Sequence, residues 1–202
     1  MKIISLAAPY YCVVEHENQQ QIIDYAQQLL ADGDFEFSRG DHNFRHQRLK
    51  KTDCQTLLNW SPLTKIKTGL KPYASIFSTG PGHYYRAHKD GQNIRAALNY
   101  IIEVHDSCCV TSWYDDQIET HYQIDRLGGV SRELQNFQKQ NHRAQCSQIF
   151  SQNQCVVFNT DIYHDFDNTS SANSRHVLTL RFSEPHDLYW HDIVQEFKNH
   201  AS

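Results

Sequence analysis

The stretch "CVVFNTDIYHDFDNTSSANSRHVLTLRF", residues 155–182, carries the pattern that decides the fold. It begins and ends with runs of β-branched and aromatic residues, and the polar segment "NTSSANS" lies between them. Short apolar runs on either side of turn-forming residues are typical of β-strands. The stretch therefore predicts two strands, one from Cys155 to Asn159 and one beginning at Arg175, that pair around a turn.

The same pattern of short apolar runs between turn-forming residues begins upstream, at about Tyr73. Groups of Gly, Pro, Asn and Asp separate further short runs, which are "YASIF", "HYYRAH", "RAALNYIIEV", "CCVTSWY" and "ETHYQI". Six or seven short strands in roughly 110 residues indicate an antiparallel sandwich or barrel. We therefore expect a mainly β core over residues 73–184.

Helical patterns flank this core. Residues 17–32, "ENQQQIIDYAQQLLAD", place apolar side chains three and four positions apart, as in an amphipathic helix that ends near Gly33. The tail "HDLYWHDIVQEFKNH" has the same kind of apolar face, formed by Leu188, Ile193, Val194 and Phe197. The polar segment 130–145 is expected to be either one helix or a long insert, and the helix is favoured.

Length and composition set further bounds. The 202 residues predict a single domain, with a helical support region over residues 1–72 and a C-terminal helix within residues 185–202. The net charge of −4, without a basic stripe, argues against nucleic acid as a partner. Six cysteines without a CxxC pair indicate free thiols in a reducing compartment. No run approaches the roughly 20 apolar residues of a membrane span, so we expect a soluble cytoplasmic protein without membrane contact.

Three potential metal ligands lie in the predicted core. His88 and Asp90, in "RAHKDG", are two residues apart, and such residues on a strand project from the same face. A pair of strands around a turn can bring His164 across from them. Two histidines and one carboxylate that leave coordination positions open suit non-haem Fe(II) and its oxygen chemistry. Arg175, eleven positions after His164, is able to hold a carboxylate through two parallel hydrogen bonds.

The order His88-x-Asp90, His164, Arg175 resembles the pattern of the Fe(II)- and 2-oxoglutarate-dependent oxygenases. The resemblance runs from about Tyr73 to Glu184, and "RAALNYI" and "FNTDIYHDFDN" look most like small bacterial and phage-type members, loosely related to the prolyl and aspartyl hydroxylase branches. It implies a jelly-roll, cupin-like barrel, the double-stranded β-helix, with flanking helices. It also implies that the two histidines and the aspartate bind Fe(II) and that the arginine pairs with the distal carboxylate of 2-oxoglutarate.

Further residues are candidates for the co-substrate site. "RHVLTLR" resembles the "R-x-N-L-T-F-R" stretch of AlkB-type demethylases, which implies that Arg181 also positions 2-oxoglutarate. Val177 stands where many members of the family have a serine, so the assisting hydroxyl, if there is one, is expected from Tyr84, Tyr85 or Thr179.

Strand parity and position add to these candidates. If His88 and Asp90 face inward, Tyr84 and Arg86 share their face, whereas Tyr85 and Ala87 face away. On the following strands, the candidates to line the pocket are Asn99, Trp113 and Tyr114. Two histidines with helical spacing but no further ligand are assigned to the surface or a substrate loop, namely His42 and His46.

The resemblance implies an enzyme, a dioxygenase that converts 2-oxoglutarate to succinate and CO₂ while it hydroxylates or oxidatively demethylates a substrate. The alternative is a cupin-like barrel that binds metal without catalysis; it uses the same three ligands but has no need of Arg175. A nucleic-acid demethylase shares the iron site but gains little support from the charge balance. A small molecule and a peptide side chain stay open as substrates. The oligomeric state also stays open, because a barrel-covering helix and a dimer helix have the same pattern.

Overall fold

The computed structural model describes residues 1–32, 44–62, 64, 71–90, 95–104, 108–114, 120–124, 130–135, 143–183 and 189–200. The strands of this part are β1 Lys2–Ala7, β2 Tyr11–Glu15, β3 Phe44–Arg48, β4 Lys71–Thr79, β5 His83–His88, β6 Ala96–Val104, β7 Val110–Trp113, β8 Thr120–Ile124, β9 Val130–Gln135, β10 Cys146–Ile149, β11 Cys155–Asn159, β12 His164–Asn168 and β13 Arg175–Ser183. It also contains the helices α1 Gln19–Ala31, α2 Lys51–Trp60 and α3 Trp190–Asn199. Strands predominate, which confirms the prediction of a mainly β protein.

The strands form two large sheets. A major sheet of seven strands has the order β1-β2-β11-β6-β13-β4-β3, and a minor sheet of four has the order β10-β7-β12-β5. Strands β8 and β9 pair only with each other. All these pairings are antiparallel, which is consistent with a jelly-roll fold. Between the described strands, no pairing closes the two sheets into a barrel.

The major sheet is covered on both faces. In β6, Leu98, Tyr100 and Ile102 pack in one core cluster with the three helices, whereas Ile101 packs in another with Trp113 of the minor sheet. Successive strand residues point to opposite faces, so a strand between two layers is apolar at nearly every position. The run "AALNYII" at the centre of the sheet fits this rule, because every residue in it is buried.

Both flanking helices are present. The first buries Ile22, Ile23 and Ala26, and the C-terminal one buries Ile193 and Phe197, in the cluster behind the major sheet. The longest described helix has 13 residues, and none in this part is long and apolar enough to cross a bilayer. All six cysteines are free thiols, as expected.

The strands that begin at Cys155 and Arg175 do not pair with each other, so that prediction is wrong. Strand β6 lies between them in the major sheet. The segment that joins them contains a strand of its own, β12, which crosses to the minor sheet. Its sequence "HDFDN" is too polar to be recognised as a strand. Part of that polarity is satisfied inside the fold, since Asp165 accepts hydrogen bonds from the hydroxyls of Tyr84 and Tyr114.

The expected helix over residues 130–145 is also wrong where the structure describes it. Val130–Gln135 is strand β9, paired with β8, and residues 136–142 lie outside the described part. Val130 and Leu134 have helical spacing, but pairing with the β-prone run "THYQI" overrides so short a local preference.

The N-terminal 72 residues contain three strands that the sequence reading missed. Two of them, β1 and β2, extend one end of the major sheet, and β3 forms its other edge. Pairing of β2 with β11 places Cys12 opposite Val157, and both side chains are buried. The residues expected to form a helical support therefore also complete the sheet.

We predict that Phe197→Ala lowers the free energy of unfolding by about 3–5 kcal/mol, because it leaves a cavity between α3 and the major sheet. Phe197 is fully buried there. Urea denaturation measures the change. The exposed Gln195 on the same helix is the control, and Gln195→Ala is expected to stay within about 0.5 kcal/mol of the wild type. Equal losses in the two variants would contradict the packing described for this helix.

Candidate functional site

Three side chains with metal-ligand chemistry meet between β5 and β12. The pairing of these strands places His164 directly opposite His88, and Asp90 follows two residues after the end of β5. One ligand atom from each of the three residues lies within 4.8 Å of the others. Nε2 of His88 is 3.6 Å from Oδ1 of Asp90. The structure therefore brings together the three residues that the sequence reading grouped.

Backbone hydrogen bonds fix the tautomers of both histidines. Nδ1–H of His88 donates to the carbonyl oxygen of Arg86, and Nδ1–H of His164 donates to that of Ile162, each at 2.9 Å. A ring that donates from Nδ1 keeps the lone pair of Nε2 available. Metal-binding histidines characteristically make such a second hydrogen bond. The donor set fits a divalent transition metal, because two imidazole nitrogens and one carboxylate face the same point.

The surroundings of His88 keep its ring neutral. Burial, followed by the proximity of His164, lowers its pKa from 6.5 to about 3, and the attraction of Asp90 only partly opposes this. A neutral imidazole is the form that binds a metal. The local electrostatics therefore favour the ligand form of His88 well below neutral pH.

Asp90 is held from two sides. Its backbone N–H donates to the carbonyl oxygen of Thr160 at 3.2 Å, which ties the end of β5 to the end of β11. Oδ2 lies 2.8 Å from Nη2 of Arg181, while Oδ1 is the oxygen nearer His88. The side chain of Asp90 is only 6% exposed. One carboxylate oxygen is thus engaged by an arginine, and the other faces the two histidines.

A cavity extends from these residues between the sheets. Its remaining lining is aromatic, small, polar or cationic and consists of Phe77, Thr79, Tyr85, Ala97, Asn99, Phe158, Thr160, Phe166, Arg175, Val177, Thr179 and Arg181.

Arg175 is the unusual member of this lining. It is 4% exposed, its guanidinium lies 5.0 Å from the centre of the Phe166 ring, and burial lowers its pKa. Within the described ranges, no carboxylate makes an ion pair with it. A buried cation without an anion is strongly disfavoured in free energy. This end of the cavity therefore fits a ligand that brings a carboxylate.

Asn99 and Thr179 form a polar pair on the cavity wall. They lie opposite each other on β6 and β13, and the hydroxyl of Thr179 donates to Oδ1 of Asn99 at 2.6 Å. Because this bond engages the amide oxygen, it orients the amide so that its NH₂ group points away from Thr179. Both residues, named as candidates from the sequence, line the cavity.

The parity expected for β5 holds for Ala87 but is wrong for Tyr84 and Tyr85. Tyr85 lines the cavity, whereas the hydroxyl of Tyr84 donates to Asp165 at 2.8 Å and Tyr84 is absent from the lining. The register explains the exchange, since His164 pairs with His88 but Phe166 pairs with Tyr85. His88 and Tyr85 are three residues apart on β5, whereas His164 and Phe166 are two residues apart on β12. This mismatch is a β-bulge, and it reverses the alternation of side chains along β5.

Two other candidates lie outside the cavity. Trp113 is buried in the core between the sheets. The hydroxyl of Tyr114 donates to the same oxygen of Asp165 as that of Tyr84, at 2.6 Å. His42 lies outside the described residues, and His46 lies beside Phe77, which lines the cavity.

Sequence reasoning missed the aromatic part of the lining, Phe77, Phe158 and Phe166. Phe166 lies two residues after His164 on β12, so alternation along that strand was the signal that could have found it. Phe77 on β4 and Phe158 on β11 lie on strands from which no cavity residue was named.

Comparison with known proteins shows similarity of fold. No protein-family model matches the chain, and no curated protein matches its sequence. Among solved structures, EvdO2 from Micromonospora carbonacea var. aurantiaca superposes with a TM-score of 0.58 and 12% identity, covering 93% of this chain and 96% of EvdO2. HygX from Streptomyces hygroscopicus, solved with nickel and 2-oxoglutarate bound, gives a TM-score of 0.56 and 6% identity over 89% of this chain and 84% of HygX.

A prolyl-4-hydroxylase from Pseudomonas putida has a TM-score of 0.52 and 14% identity, over 89% of this chain and 95% of the hydroxylase. Vicilin from Corylus avellana also matches, but at a TM-score of 0.44, and this chain spans only 32% of its length. At these identities the likeness concerns the fold alone.

The lowered pKa of His88 predicts that acid destabilises the metal-free protein. Between its native value of about 3 and its ordinary value of 6.5, the unfolded chain binds a proton at His88 that the native chain does not. Stability therefore falls as the pH drops through 6.5, by up to about 2 kcal/mol at about pH 5. Urea denaturation of EDTA-treated protein across this range measures the loss. His88→Gln is expected to show a smaller loss; identical pH profiles would contradict the assignment.

Proposed function

We propose that this protein is an Fe(II)- and 2-oxoglutarate-dependent dioxygenase that hydroxylates or oxidatively demethylates its substrate. The observation that carries the proposal is the presence, in one cavity, of a two-histidine, one-carboxylate donor set and a buried arginine without a carboxylate partner in the described structure. The fold similarity to 2-oxoglutarate-dependent oxygenases supports it. We also propose that the two sheets are the halves of a double-stranded β-helix.

The metal would be held by Nε2 of His88, Nε2 of His164 and Oδ1 of Asp90. When bound, iron with 2-oxoglutarate supplies the oxidation of substrate by dioxygen, coupled to formation of succinate and CO₂. The chain's part is to present three donors on one side and to leave the other side open to the cavity. Aromatic side chains that surround this space, such as Phe158 and Phe166, limit the entry of water.

The co-substrate would lie between the metal donors and Arg175. A planar guanidinium can bind a terminal carboxylate through two parallel hydrogen bonds, which sets both the position and the direction of the molecule. The NH₂ group of Asn99, oriented by Thr179, is a second donor along the same wall. Arg181 lies at the metal end, where it already contacts Asp90.

The alternative, a cupin-like barrel that binds metal without catalysis, explains the three donors but not Arg175. A structural metal site needs no buried cation at the far side of its cavity. Burial of an uncompensated guanidinium would lower the stability of such a protein by several kcal/mol. The observation on Arg175 therefore favours the oxygenase.

We predict that Arg175→Ala weakens 2-oxoglutarate binding by at least about 30-fold, since removing one partner of a buried charge pair costs about 2–5 kcal/mol. Isothermal titration of the Mn(II)-loaded protein measures the affinity. The matched control is Arg86→Ala, which removes the same charge from an exposed side chain on β5 and is expected to leave the affinity within about twofold.

Succinate formation tests the reaction itself. Wild-type protein with Fe(II), 2-oxoglutarate and dioxygen is expected to form succinate slowly even without substrate, and Asp90→Ala is expected to form none. Mn(II) binding without any succinate, together with an Arg175→Ala variant that binds 2-oxoglutarate normally, would favour the non-catalytic barrel instead.

A further inference from the structure

A layered stack connects the edge strand β3 to the metal donors. His46, Phe77, Arg181 and Asp90 follow one another from the sheet edge to the site, and each touches the next. The imidazole of His46 lies parallel to the Phe77 ring, with centroids 4.5 Å apart and an interplanar angle of 16°. The Arg181 guanidinium lies 5.1 Å from the centre of the same ring, and its Nη2 is 2.8 Å from Oδ2 of Asp90.

Strand register builds this stack. His46 on β3 pairs directly with Phe77 on β4, so the two side chains share one face of the sheet. Arg181 on β13 pairs with Tyr73, four residues before Phe77, so its long side chain runs along the strand direction to reach the ring. Ser75, the residue between them on that face, is small, and its hydroxyl lies 2.9 Å from Nε2 of His46. The edge of the stack is thus anchored to the sheet by a hydrogen bond.

The Phe77 ring restrains Arg181 in addition to the ion pair with Asp90. Its Nε is buried and has no hydrogen-bond partner in the part of the chain that the structure describes. A guanidinium held by one ion pair can rotate about that contact. The face of an aromatic ring restricts the rotation, and it attracts the cation more strongly where water is excluded.

The position of Arg181 affects the orientation of the Asp90 carboxylate. Arg181 engages Oδ2, while Oδ1 lies 3.6 Å from Nε2 of His88. If the guanidinium moved, Oδ2 would lose this contact and the carboxylate would be held less strongly in its present orientation. Preorganised ligands bind with a smaller loss of conformational entropy than mobile ones.

We propose that Phe77 and His46 are positioning residues that act on the metal through Arg181, by holding its guanidinium against Asp90 so that this ligand presents one oxygen. The inference rests on the proposed function, because it assumes that His88, Asp90 and His164 bind a metal. Within the stack, neither Phe77 nor His46 contacts one of the three donors directly, so each acts through its neighbour.

The test is the affinity of the protein for Mn(II) alone, measured by the loss of the free Mn(II) signal in electron paramagnetic resonance. Phe77→Leu keeps an apolar side chain but removes the ring, and we expect about 3- to 30-fold weaker binding. Phe77→Tyr is expected to restore wild-type affinity. His46→Ala, which removes only the outer layer, is expected to weaken binding by about 2- to 5-fold.

Two controls separate positioning from general destabilisation. Phe197→Leu removes a buried ring from the cluster behind the major sheet, none of whose members lines the cavity, so it is expected to lower stability without changing Mn(II) affinity. In an Arg181→Met background, Phe77→Leu is expected to have no further effect, because the residue through which it acts is gone. Thermal unfolding establishes that each variant is folded at the temperature of the titration.

The outcomes distinguish the two proposals. If wild-type protein binds no Mn(II), both the proposed function and this inference fail. If wild-type protein binds Mn(II) and Phe77→Leu binds it equally well, only the inference fails. An effect of Phe77→Leu that persists in full in the Arg181→Met background would also overturn it, since the ring would then act by another route.

Discussion

The pairing of β12 with β5 is the constraint on which the candidate site depends. It sets His164 opposite His88 at the place where both strands reach the open space between the sheets. The bulge that follows turns Tyr85 toward that space and Tyr84 toward Asp165. A slip of one residue in this register would move His164 to the other face of the sheet and separate the three donors.

The rest of the fold supports this pairing. Asp165, next to His164, accepts hydrogen bonds from two tyrosines on neighbouring segments, which favours one register of the minor sheet over its alternatives. The central strands of the major sheet, buried between the helices and the minor sheet, form a rigid wall that carries Asn99, Arg175 and Arg181. Polar side chains are therefore held at defined positions inside a largely apolar interior, where the free energy of ion pairs and hydrogen bonds is least weakened by water.

The sequence allowed the mainly β class, the flanking helices and the grouping of His88, Asp90 and His164 to be predicted. Local apolar periodicity carries the class and the helices, whereas the three donors were grouped from their order along the chain, His88-x-Asp90 followed by His164 and Arg175. The predictions that were wrong concerned features that depend on pairing between segments far apart in the sequence. The polar strand β12 is stabilised by tyrosines from elsewhere in the chain, β9 by its hairpin partner, and the parity of β5 by a bulge that only the register reveals. Likewise, no local pattern connects His46 and Phe77 to Arg181.

The central claim is that one cavity holds both Fe(II) and 2-oxoglutarate. Its most direct test is an anaerobic titration of the purified protein with Fe(II) and 2-oxoglutarate, followed by visible absorption. Chelation of the metal by the keto acid within the site is expected to give a weak charge-transfer band that is absent with Fe(II) alone and lost in His164→Ala. Iron binding without that band, at saturating 2-oxoglutarate, would contradict the claim and leave a metal site without a co-substrate.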